Sequence, residues 1–279
     1  MQDLKKEWSK DGFIPVILLV TLCLGLIDCR SDEIYESDLY KVRVKKITEG
    51  LSYPWGLEFL PEGGFLVTER GGSLKRISGN GAVSLSIKGV PKISAIGQGG
   101  LMDVVAHPNF STNSLIFMSF VAKNNGLYGT EVVRGKLLND RLIDSEIIFR
   151  ALPKSKGGRH FGSRLLFLAD GTLLVSLGDR GNRPNGQDLA THHGSIIRIT
   201  EDGSVPRDNP FVRDKLARPE IFTYGNRNVQ GLFWDRKNDR VWATEHGPQG
   251  GCELNVIRSG LNYGWAEVTY GKNYIIGTK

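Results

Sequence analysis

Beyond about residue 40 the chain alternates short apolar runs with polar turns, and the pattern recurs four times. Gly56 to Arg70 is an apolar run, a Pro-Glu-Gly-Gly turn and a second apolar run with a polar tip. Gly100 to Pro108 with Ser114 to Phe120, Ser163 to Arg180, and Gly231 to His246 repeat the plan. Apolar runs bounded by Pro, Asp, Asn and Gly predict antiparallel strands and an all-β fold. No long stretch repeats at the helical period. Recurring strand–turn–strand units suit the blades of a propeller, in which each sheet buries its faces against its neighbours. The polar tips of equivalent strands then gather on one face, where function is expected.

The first thirty residues differ. Ile14–Ile27 is an apolar run shorter than the roughly 20 residues of a membrane span. It follows Lys5, Lys6 and Lys10 and gives way to Arg30-Ser31-Asp32-Glu33. That is the layout of a secretory signal peptide, so residues 1–29 are expected to direct export to the periplasm. Leu26-Ile27-Asp28-Cys29 resembles a bacterial lipobox, with Cys29 as the site of a lipid anchor.

Composition adds two constraints. Glycine is abundant, at 35 of 279 residues, and without a collagen period that means many tight turns. Net charge is +6, but Lys and Arg are scattered rather than clustered, so no nucleic-acid partner is expected. Cys23, Cys29 and Cys252 lack the paired short spacings of a disulfide framework or zinc site.

Candidate chemistry comes from few residues. His107 lies in an Ala-His-Pro turn. Adjacent His192 and His193 in a strand would face opposite sides and could not share a metal. His160, in Gly157-Gly-Arg-His-Phe-Gly-Ser-Arg164, lies on a glycine-rich loop between Arg159 and Arg164. Those cations would favour the neutral imidazole that a general base needs; a turn histidine bonded to backbone is the plainer alternative. Arg227 and Asn228 supply a cationic fork and an amide donor suited to a carboxylate or an oxyanion. Glu245 to Glu253 offers glycine-exposed carbonyls and two carboxylates, ligands that Ca²⁺ prefers; a glycine-rich hairpin is the plainer alternative. Neither a Gly-x-Ser-x-Gly elbow nor a P-loop is present.

In order, Pro54-Trp-Gly, Gly97-Gln-Gly-Gly-Leu, Gly158-Arg-His-Phe-Gly-Ser-Arg, Gln187-Asp188, Asp208-Asn-Pro-Phe, Gly225-Asn-Arg-Asn-Val-Gln-Gly, Glu245-His-Gly-Pro and Asn262-Tyr-Gly-Trp resemble the soluble pyrroloquinoline-quinone-dependent sugar dehydrogenases. This is the glucose/sorbosone dehydrogenase family, and its aldose branch is the better match. The resemblance implies a six-bladed β-propeller, of which about five blades are expected because relatives continue beyond the position of Lys279. It implies that His160 takes the proton of an aldose's anomeric hydroxyl while hydride passes to the quinone. Gln98, Arg227 and Asn228 would bind the quinone. The carbonyls of Gly247 and Pro248 would hold Ca²⁺, and Glu253 and Tyr263 a second, structural Ca²⁺. An external electron acceptor would reoxidise the cofactor. Three positions depart from the pattern. Arg159 stands where the glucose branch has an acid, Val229 replaces a proline, and Cys252 replaces an acid beside Glu253. The competing expectations are a non-catalytic binding propeller and a propeller lactonase, although the latter needs side-chain carboxylates at its metal.

Overall fold

The computed structural model describes residues 33–272 and 274. The expected signal segment, with Cys23 and Cys29, lies outside these residues. The chain divides into two compact units at Glu49/Gly50. The described part of the first unit is an exposed antiparallel hairpin, β1 (Glu33–Glu36) and β2 (Lys41–Val44), with Glu33 opposite Val44.

The second unit is all-β apart from short turns such as α1 (Phe110–Asn113) and the 3-10 turn Arg183–Gln187. Among the described residues it contains four antiparallel sheets. The first is β3 (Pro54–Phe59), β4 (Phe65–Glu69) and β5 (Ser73–Ile77). The second is β6 (Leu101–Ala106), β7 (Leu115–Asn124), β8 (Leu127–Leu138) and β9 (Arg141–Arg150). The third is β10 (Leu165–Phe167), β11 (Leu173–Ser176), β12 (Ser195–Ile199) and β13 (Ile221–Tyr224). The fourth is β14 (Val229–Asp235), β15 (Arg240–Glu245) and β16 (Glu253–Ile257). Each sheet is a meander in sequence order, and the first strands adjoin in series: β3 against β6, β6 against β10, β10 against β14. This is the propeller arrangement. Between and after these strands, residues 177–194, 200–220 and 258–272 run as turns and irregular backbone.

Packing explains why the inner strands read as continuous apolar runs. Successive side chains on a strand point to opposite faces, and here both faces are covered. Ile116 and Met118 of β7 enter the core shared with the first sheet, whereas Phe117 enters the core shared with the third. Leu173 and Val175 of β11 face that same second core, and Leu174 joins Ile196, Val229 and Ala243 on the side of the fourth sheet. The fully buried Leu-Leu-Val-Ser of β11 is therefore a strand between two sheets.

His192 and His193 are not in a strand. They occupy the turn before β12, and each ring holds the segment after β9. His192 Nδ1 accepts the Leu152 N–H at 2.9 Å, and its Nε2 lies 3.2 Å from Glu220. His193 Nε2 donates to the Pro153 carbonyl at 2.8 Å, while its Nδ1 accepts from Asn185 Nδ2 at 3.0 Å. Burial above all, with Arg180 and His192 nearby, pushes the His193 imidazole down to about 4, against the opposing Pro153 bond and Asp179 charge. The unfolded chain takes up this proton near pH 6.5, whereas the folded chain refuses it until about pH 4. The contribution is therefore complete above pH 6.5 and lost as pH falls towards 4, on the order of 3 kcal/mol in all. Denaturant unfolding between pH 4 and 7.5 should give a shallower acid slope for His193→Gln than for the parent; identical slopes would contradict this assignment.

Candidate active site

The loop from Gly157 to Arg164 joins β9 to β10 and is held almost entirely by other elements. His160 N–H donates to Gln98 Oε1 at 2.8 Å. Gly162 N–H donates to Asn228 Oδ1 at 3.0 Å, and Thr130 Oγ1 donates to the Phe161 carbonyl at 2.8 Å. The Arg180 guanidinium donates to the carbonyls of Gly157 and Arg159 and stacks 3.5 Å over the Phe161 ring. Phe161 is buried against Met102 and Val121. These bonds hold His160 at φ +49°, a left-handed conformation that costs a non-glycine residue about 1–3 kcal/mol. Gly178 is required opposite it, because a Cβ there would lie 2.2 Å from the His160 carbonyl oxygen.

The imidazole is aimed by a carboxylate. His160 Nδ1 lies 2.6 Å from Oδ1 of Asp179, which is 1% exposed. The same oxygen accepts Gly181 N–H at 2.6 Å, and Oδ2 accepts Trp265 Nε1–H at 2.7 Å. With Nδ1–H committed to Asp179, the acceptor lone pair of the neutral ring is on Nε2. Arg164 is not the neighbour expected from sequence: it pairs with Asp103 at 2.8 Å and stacks on Trp55 at 4.3 Å. The charge beside the ring is Asp179.

His160 and Asp179 open onto a pocket of about 970 Å³ whose walls include Gln98, Arg159, Arg227, Pro248 and Trp265. Arg183 also lines it, and its guanidinium lies 4.7 Å from the Trp265 ring; that of Arg227 lies 5.4 Å from the same ring. Arg227 Nη1 donates to the His246 carbonyl at 3.0 Å, which places the guanidinium beside the loop carrying Gly247 and Pro248. The pocket thus combines one base, one committed carboxylate, three guanidinium groups and an indole face. It suits a planar, polyanionic ligand next to a proton to be removed.

The structure brings Gln98, His160, Arg227 and Pro248 together. Asn228 lies behind them, its amide oxygen accepting from Gly162 and Gln230. Gly247 packs against the carbonyls of Gly250 and Gly251. Glu253 pairs across the sheet with Glu245 and accepts from Asn255, while the Tyr263 hydroxyl donates to the Val256 carbonyl at 2.7 Å and accepts Arg258 N–H. Among the described residues no group of three or more His, Cys, Asp or Glu could hold a metal. Nor does Glu245 face outward as a ligand: it is 6% exposed, and burial first, with Glu253 opposite, pushes its carboxyl up to about 7. His107 is a turn histidine, as its Ala-His-Pro setting predicts, with Nδ1 accepting Asn109 N–H and Nε2 paired with Glu201. Asp179 and Trp265 do not stand out in sequence. The signals that could have found them are the polar tip Gly178-Asp179-Arg180 and the last residue of Asn262-Tyr-Gly-Trp265.

Fold and pocket together define a class, that of β-propellers with a histidine–carboxylate pair in an arginine-lined pocket. The chain belongs to the glucose/sorbosone dehydrogenase family, whose model matches residues 51–279. It is 41% identical over 237 residues to the aldose sugar dehydrogenase YliI of Escherichia coli K12, covering 84% of this chain and 64% of that protein. It is 30% identical over 254 residues to quinoprotein glucose dehydrogenase B of Acinetobacter calcoaceticus, covering 80% of this chain and 52% of the relative. The chain thus spans less than two thirds of the length of these relatives. Among solved structures, the apo soluble aldose sugar dehydrogenase of Escherichia coli superimposes with a TM-score of 0.80 at 39% identity, covering 84% of this chain and 72% of that one. The PQQ-bound aldose sugar dehydrogenase of Streptomyces coelicolor does so with a TM-score of 0.74 at 30% identity, covering 89% and 70%.

Trp265 supplies the donor to Asp179 Oδ2, and a buried acceptor left unpaired costs about 1–3 kcal/mol. Trp265→Phe keeps the ring and removes that donor. It should lower the urea midpoint accordingly; an unchanged midpoint would mean that water or another donor replaces the indole.

Proposed function

We propose that this chain is a quinoprotein that oxidises the anomeric carbon of aldose sugars to the lactone, with pyrroloquinoline quinone as cofactor and an external electron acceptor. The observation that carries this is the His160–Asp179 pair opening onto a pocket ringed by Arg159, Arg183 and Arg227. The donor set fits the quinone: guanidinium groups for its carboxylates, Gln98 for a polar edge and the Trp265 face for its plane. The carbonyls of Gly247 and Pro248 are the oxygen ligands a Ca²⁺ ion would take beside it, and Glu253 and Tyr263 are the candidates for a second ion. When bound, the quinone supplies the acceptor for the hydride that leaves the sugar. His160 Nε2 accepts the proton of the anomeric hydroxyl. Asp179 holds Nδ1–H, fixes the tautomer and balances the imidazolium that results. Arg227 offers positive charge where an oxygen becomes anionic, and Asn228 secures the loop that carries the base. The four sheets are, in this reading, blades of the six-bladed type that the resemblance implies. Export, with Cys29 as a lipid anchor, rests on the pattern of residues 1–29.

Two variants test the roles. His160→Ala should lower aldose-dependent dye reduction by about 10²–10⁴ while quinone affinity stays within a few-fold. Asp179→Asn should lose a comparable factor, because an amide reverses the donor pattern at Nδ1. Dye reduction at the parent rate in either variant would remove the pair from the chemistry. Full turnover in a chelator-treated, quinone-free sample would overturn the function itself.

A further inference from the structure

Glu245 ends β15, and its carboxylate is turned inward beneath the turn of residues 226–228. It accepts from three donors of that one turn. Asn226 Nδ2 donates to Oε2 at 2.9 Å, and the backbone N–H groups of Arg227 and Asn228 both donate to Oε1, the latter at 3.2 Å. The turn is stitched in return to the loop that follows Glu245. His246 N–H donates to the Asn228 carbonyl at 3.3 Å, and Arg227 Nη1 donates to the His246 carbonyl at 3.0 Å. One buried side chain therefore joins the guanidinium of the pocket to the backbone leading to Pro248 in its wall. Glu245 does not line the pocket.

Two consecutive N–H groups on a single carboxylate oxygen fix the backbone of both residues, and with it the direction in which Arg227 leaves the chain. A cation arranged before the ligand arrives binds more tightly than one ordered on binding, because less entropy is lost in the encounter. Around bound metals, groups that only orient the ligating residues change affinity by about 10–100-fold when altered, and the same reasoning applies to a guanidinium that receives an anionic ligand.

We propose that Glu245 is a positioning residue that pre-arranges Arg227 and Asn228, so that affinity for a planar polycarboxylate quinone depends on a side chain that never touches it. This rests on the quinone-binding role proposed above. A carboxylate that serves the sheet alone would change stability and leave affinity in step with it.

The experiment is equilibrium titration of the full chain with pyrroloquinoline quinone at fixed Ca²⁺, followed by quenching of tryptophan fluorescence, with the melting temperature of each variant. E245Q keeps an oxygen for the Arg227 and Asn228 N–H groups but sets an amide donor against Asn226 Nδ2. N226D in that background replaces the opposing donor with an acceptor and retains the bond from Thr223 Oγ1, which lies 3.4 Å from Asn226 Oδ1. E245Q should bind quinone about 10–100-fold more weakly, and E245Q/N226D should recover most of that loss. The aldose KM at saturating quinone should stay within about twofold, since no sugar contact has changed. Parent-like affinity in E245Q, or a loss that only tracks the melting temperature and is not recovered in the double variant, overturns the proposal. E245D, which keeps the charge and withdraws it by one methylene, carries the same test if E245Q does not fold. A parent protein that binds no quinone overturns the functional reading instead.

Discussion

The hydrogen bond between His160 Nδ1 and Asp179 Oδ1 is the contact on which the pocket depends. A carboxylate as buried as Asp179 is tolerated only when its oxygens are satisfied, and here three elements satisfy them: the loop before β10, the turn after β11 and the indole of Trp265. The same three elements carry the base, the wall beside it and the ring near two guanidinium groups. Solvating one buried charge therefore also orders the chemical groups around it.

Sheet packing makes this convergence reachable. The strands preceding the functional loops belong to different sheets, and their inner segments are locked between two apolar layers. Rigid strands leave little freedom at their ends, so Gln98, Asn228 and Arg180 can each supply a bond to a loop far away in sequence. A left-handed histidine persists because several independent elements constrain it, and none of those constraints is local.

How far the sequence was legible follows from that division. The strands were visible because apolar runs between turn residues are a local signal, and His160, Arg227 and Gln98 stood out as chemistry-bearing residues within short motifs. Asp179 and Trp265 did not, because their roles exist only through contacts 19 and 86 residues apart. Arg164 and Glu245 were misplaced for the opposite reason. Each lies near a functional residue in sequence, yet buried partners elsewhere in the chain, Asp103 of β6 and the 226–228 turn, draw them away. Long turns such as 177–194 and 200–220 carry no apolar periodicity, so their course was not legible in the sequence.

The tautomer of His160 tests the central claim most directly. Nitrogen NMR of protein labelled at the imidazole nitrogens reads which of the two carries hydrogen in the neutral ring. Asp179 as the acceptor of Nδ1–H predicts a protonated Nδ1 and a bare Nε2, the latter moving when sugar is added to quinone-loaded protein. A neutral ring with hydrogen on Nε2 would leave no lone pair facing the pocket and would contradict the assignment of His160 as the base.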